Sequence, residues 1–95
     1  MTEVELFPGH VARVGMESIP LEDVTTLSGL ELMQRVIAGT YAAPTIAERM
    51  NFALVEATEG RVVFQGMPSN RHLNPLGGVH GGWAATILDS ALGCC

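Results

Sequence analysis

Apolar and polar positions recur at regular spacing after residue 28 and show no sustained period before it. Residues 1–27 carry two prolines, Pro8 and Pro20, and read as an irregular or partly ordered N-terminal leader. Ser28-Gly29-Leu30-Glu31 then has the form of a capping box, with Ser28 as the cap and Glu31 three residues on. Leu30, Met33, Val36 and Ile37 share one helical face, and Gly39 closes the element. Residues 41–45 form a proline-containing connection, and residues 46–49 are expected to add one further turn. Residues 51–57 and 61–67 read as strands flanking Thr58-Glu59-Gly60, the expected turn of a hairpin. In the first strand Phe52, Leu54 and Glu56 fall on one face, with Ala53, Val55 and Ala57 on the other. In the second, Val62 and Phe64 alternate with Val63 and Gln65.

Residues 69–78 are polar and rich in proline and glycine, as a loop should be. A last helix is expected to open near residues 79–82 and run to Cys95. It is apolar nearly all round, the pattern of a helix enclosed by other structure. Two strands and two helices do not suffice to enclose it, and an isolated hairpin is marginal in water. The expectation is therefore the front part of a larger domain, or a chain that depends on a partner.

Composition sharpens this picture in a few places. The hydrophobic content of 47% argues for one small globular domain with a real core. A net charge of −5, with five scattered arginines and no lysine, offers no basic patch and disfavours a nucleic-acid partner. The acidic start Met1-Thr2-Glu3-Val4-Glu5 is unlike a signal peptide, and no run reaches the roughly 18 apolar residues of a membrane span. Adjacent Cys94 and Cys95 suit neither a structural disulfide nor a zinc site. They read as apolar filler, and a reducing cytoplasm is the natural setting.

The chemistry concentrates near the end of the chain. Asp89 is the only acidic residue after Glu59 and stands in the uncharged run from Gly81 to Cys95. Burying a lone carboxylate there is costly unless it is paired or functional. Upstream, Asn74-Pro75-Leu76-Gly77-Gly78-Val79-His80-Gly81-Gly82 is a glycine-rich turn with an amide and an imidazole. A helix N-terminus exposes unpaired N–H groups and partial positive charge, and Gly81 and Gly82 leave those donors open. That is the make-up of an oxyanion hole. Asp89 follows Gly82 by seven residues on the same face, yet roughly 10 Å along the axis. One helix cannot present both to a single carbon. A second copy, antiparallel across a two-fold axis, would bring Asp89 of one chain to Gly81 of the other and form two equivalent sites.

Asn74-Pro75, Gly78-Val79-His80-Gly81-Gly82 and Asp89, at this spacing, resemble the signature of the PaaI-like acyl-CoA thioesterases of the hotdog fold. The resemblance covers about residues 28–95. It implies an α+β fold in which an antiparallel sheet wraps a long central helix, here residues 79–95, with only the N-terminal part of that fold present. Family members continue with further strands that complete the sheet and much of the CoA groove. The resemblance further implies that Asp89 acts as general base or nucleophile on a thioester carbon and that the Gly81 amide binds the carbonyl oxygen. His80 would polarise or orient nearby, and Asn74 would position the attacking water. Gly82 and Trp83 are assigned to substrate contact, with packing in the core or dimer interface as the competing reading of Trp83. The implied partners are an acyl-CoA or aryl-CoA substrate and further copies of the chain, as a homodimer or a dimer of dimers. No cofactor, metal or membrane enters.

Other readings stand beside this one. A catalytically silent piece of the fold, binding a partner chain or an acyl ligand, is the alternative from another class. A hotdog dehydratase would use a different arrangement of histidine and acid. Residues 77–82 do not fit the dinucleotide-binding glycine pattern, and the chain has no lysine for a phosphate loop. His72, His80 and Asp89 match no common metal-ligand spacing.

Overall fold

The computed structural model describes residues 2–94; Met1 and Cys95 lie outside the described residues. Strands β1 (Thr2–Phe7) and β2 (His10–Val14) form an antiparallel hairpin, and helix α1 (Leu21–Thr26) follows. The expectation of an irregular leader is therefore corrected. Pro8-Gly9 makes the turn, with Phe7 paired to His10 and Gly9 at φ +87°, as a Pro-Gly turn requires. Along β1, Glu3 and Glu5 face solvent while Val4 and Leu6 turn inward. The hairpin supplies half of the core cluster: Leu6, Phe7 and Val14 pack with Ala47, Phe52 and Ala53.

Helix α2 (Gly29–Ala38) has the predicted ends. The Glu31 N–H donates to Ser28 Oγ (3.1 Å) and the Ser28 N–H to Glu31 Oε1 (3.0 Å), the two arms of the capping box. At the other end Gly39 takes φ +82°, and the Thr40 N–H returns to the Arg35 carbonyl. A short helix α3 (Thr45–Met50) precedes strands β3 (Phe52–Thr58) and β4 (Arg61–Gly66), which pair antiparallel. These match the expected turn and hairpin within a residue or two at each end. The expected strict alternation in β3 does not hold, because the register shifts between Leu54 and Glu56. Phe52, Ala53 and Leu54 are buried in succession, while Ala57 is buried and Glu56 exposed.

The fold class is α+β, with two separate two-stranded antiparallel sheets and a C-terminal helix. Helix α4 (Gly81–Cys94) lies against β4. Contrary to the expectation of an enclosed helix, none of its described residues is buried: Leu88 is 60% and Leu92 78% exposed. Cys94 is half-buried, and that burial pushes its thiol above the ordinary cysteine value. Among the described residues, no helix is long and apolar enough to cross a membrane.

Candidate functional site

The last carbonyls of any helix lack partners within it, and the end of α3 recruits side chains for them. Arg71 donates to the Glu48 carbonyl (3.3 Å), His72 Nε2–H to the Arg49 carbonyl (2.8 Å) and Trp83 Nε1–H to the Met50 carbonyl (2.6 Å). These three bonds fix the segment that leads into α4. Asn51 completes the junction in a left-handed conformation (φ +55°), donating to the Leu6 carbonyl and accepting from Arg71. His72 is 7% exposed, and its Nδ1 accepts the Ser69 N–H (2.9 Å). An acceptor at Nδ1 and a carbonyl at Nε2 assign the neutral tautomer protonated at Nε2.

The loop between His72 and α4 is closed on itself. Leu73 and Val79 form an antiparallel bridge, and the His80 N–H donates to the His72 carbonyl (2.7 Å). Inside that closure, Asn74 Oδ1 accepts the N–H groups of Leu76 (2.9 Å) and Gly78 (3.1 Å). Its backbone N–H also donates to the Gly78 carbonyl (2.7 Å). The carboxamide oxygen of Asn74 therefore organises the loop. Its Nδ2 donor makes no hydrogen bond among the described residues.

His80 caps the helix. Its Nδ1 accepts the Gly82 N–H (2.8 Å) and its carbonyl accepts the Trp83 N–H (2.9 Å). A Cβ on Gly82 would stand 2.9 Å from His80 Nδ1, so glycine is what lets the ring fold over the helix start. The Gly82 amide is thus occupied by the His80 ring. Gly81 differs. Its N–H has no acceptor among the described residues, and a Cβ there would meet nothing within 4 Å. Of the two readings of Trp83, packing is the one its contacts carry. The indole is half-buried, bonded to Met50, and tilted against His72 at 6.3 Å between ring centroids.

The structure therefore brings Asn74, His80, Gly81 and Gly82 into one loop and helix start and leaves Asp89 apart, roughly 10 Å further along α4. Asp89 is exposed, not buried, and makes no hydrogen bond or ion pair among the described residues. It lines a groove of about 750 Å³ whose apolar walls include Leu6, Met33, Val36, Phe52 and Phe64. Within the described residues, no three His, Cys, Asp or Glu side chains converge as a metal site would require. His72 is the residue that sequence reasoning missed, having weighed it only as a metal ligand. Its spacing from Ser69 carried the available signal, since Ser69-Asn70-Arg71-His72 forms a small capping box of its own. No family model, no curated protein and no solved structure matches the chain.

Proposed function

We propose that the chain is the N-terminal part of a hotdog domain of the PaaI-like thioesterase type and takes part in hydrolysing acyl-CoA or aryl-CoA thioesters. One observation carries the reading. At the exposed start of α4, His80 occupies the Gly82 amide, while the Gly81 N–H has no acceptor among the described residues. A thioester carbonyl oxygen gaining negative charge is the acceptor that such a donor favours.

In the proposed reaction the Asp89 carboxylate takes a proton from water as the water oxygen bonds to the thioester carbon. The carbonyl electrons shift to oxygen, where the Gly81 N–H holds them. Collapse restores the carbonyl and expels the CoA sulfur, which takes the proton from Asp89, giving free acid and CoA thiol. Asp89 acting instead as nucleophile would bond to the thioester carbon and expel the CoA sulfur as thiolate, leaving a mixed anhydride. Water then opens it, releasing the free acid and the Asp89 carboxylate, and the proton set free goes to the thiolate. His80, with Nδ1 engaged on Gly82, offers its Nε2–H to orient the carbonyl, and the free Nδ2 of Asn74 positions water. The separation along α4 calls for Asp89 from a second, antiparallel copy, so the working unit is a homodimer or a dimer of dimers. The groove beside Asp89 would take the acyl arm, and a cytoplasmic setting belongs to the same proposal.

Free-thiol release from a panel of acyl- and aryl-CoA thioesters tests this reading. Asp89→Asn is expected to lower kcat by about 10²–10⁴-fold while the circular dichroism spectrum is retained. Hydrolysis by the variant at the parent's rate would overturn the assignment. A second reading is favoured by the exposure of Leu88 and Leu92: a catalytically silent piece that associates with a partner chain or acyl ligand through α4. Absence of turnover in both parent and variant would support it.

A further inference from the structure

We infer that His72 is a positioning residue for this site, tying the start of α4 to the C-terminal end of α3. The inference rests on the thioesterase reading of the Gly81 amide. Every polar atom of His72 is engaged. Its N–H donates to the Ser69 carbonyl (2.9 Å), and its carbonyl accepts the His80 N–H (2.7 Å). Its Nδ1 accepts the Ser69 N–H (2.9 Å), and its Nε2–H donates to the Arg49 carbonyl (2.8 Å). A residue that merely filled space here would need neither ring nitrogen. A neutral imidazole offers one acceptor and one donor on a rigid frame, which suits a strut between two backbone groups.

The strut reaches the site through a short chain of bonds. The Arg49 carbonyl holds the His72 ring, the His72 carbonyl holds the His80 N–H, and the His80 ring caps Gly82. Gly81 lies between the last two, so the direction of its open N–H follows from where His80 is held. Trp83, bonded to Met50 and tilted against the His72 ring, braces the same junction from the helix side. A displacement on the order of 1 Å at a reacting geometry costs roughly a hundredfold in rate.

Two conservative variants separate positioning from simple stability. His72→Gln can keep a donor to the Arg49 carbonyl, whereas His72→Asn is too short to reach it and keeps only the acceptor for Ser69. The expected result is a kcat roughly tenfold to a hundredfold lower in His72→Asn with KM near the parent's, largely recovered in His72→Gln. Parent-like kcat in His72→Asn, or no recovery in His72→Gln, would overturn the inference. Should His72→Asn fail to fold, Trp83→Phe cuts the neighbouring bond to Met50 and is expected to show the same loss of kcat at unchanged KM; an unchanged kcat would count against the clamp. If the parent hydrolyses no thioester, the functional reading fails on its own, and amide hydrogen exchange at His80 and Gly82 decides the clamp. Exchange about tenfold faster in His72→Asn than in the parent and His72→Gln supports it, and equal rates in all three overturn it.

Discussion

At the scale of single residues, Gly66 sets how closely α4 approaches β4. A Cβ at this position would lie 2.7 Å from Phe52 Cβ, 2.9 Å from the Asn51 carbonyl oxygen and 3.1 Å from Trp83 Cζ2. The first two belong to rigid parts of the chain and cannot move aside. Gly66→Ala is therefore expected to destabilise by about 1–3 kcal/mol, read from urea unfolding, with a shift in Trp83 emission as the indole is displaced. A midpoint equal to the parent's would show that the junction yields more easily than its contacts imply. Gly82 is a different case, because its near neighbour is the His80 ring, the far end of a side chain that can swing away. Glycine serves close packing at one position and the placement of a cap at the other.

At the scale of elements, α2 shows what a local sequence signal can specify. Ser28, Glu31 and Gly39 determine both ends of the helix through bonds within a few residues, so its limits were legible from the chain alone. The same bonds make it sensitive to acid. Hydrogen bonds from the Ser28 backbone, and then from its hydroxyl, hold the Glu31 carboxyl below its ordinary value of 4.5. A carboxyl held lower in the folded state binds fewer protons there than in the unfolded chain. Its contribution is complete above the ordinary glutamate range and disappears as pH falls through the lowered folded value. Glu31→Gln, which cannot ionise, is expected to show a flatter fall in urea midpoint than the parent as pH is lowered from 4.5. Identical slopes would place the acid sensitivity elsewhere. Details inside other elements depended on information beyond their own sequence. The register shift at Val55 leaves no mark in the pattern of β3. The acceptor that receives the buried His72 ring is the Arg49 carbonyl of α3, 23 residues earlier in the chain.

At the scale of the whole molecule, the core turns on the segment whose pattern was hardest to read. β1 does alternate, with Glu3 and Glu5 outside and Val4 and Leu6 inside, and Pro8-Gly9 is a turn signal. The second strand hides it: along β2 the apolar Val11 is exposed while His10 and Arg13 are half-buried, so no clean alternation continues past the turn. The candidate site was legible in part for a related reason. Gly81, His80 and Asn74 announce a loop and helix start by local chemistry, whereas the engagement of Gly82 and Trp83 depends on side chains brought in by folding. Because the core is small, its deepest residue should weigh heavily. Leu6 is fully buried at 0% exposure and joins the hairpin to Phe52 and Ala47. Leu6→Ala is expected to cost about 2–5 kcal/mol, against a total that for a domain of this size is on the order of 5–14 kcal/mol. Val11, on the same hairpin but exposed, is the internal control, and Val11→Ala should stay within about 0.5 kcal/mol. Urea midpoints for the two variants compare them directly. If Leu6→Ala cost no more than Val11→Ala, the hairpin would be an appendage, and the core would have to close around α2, β3 and β4 without it.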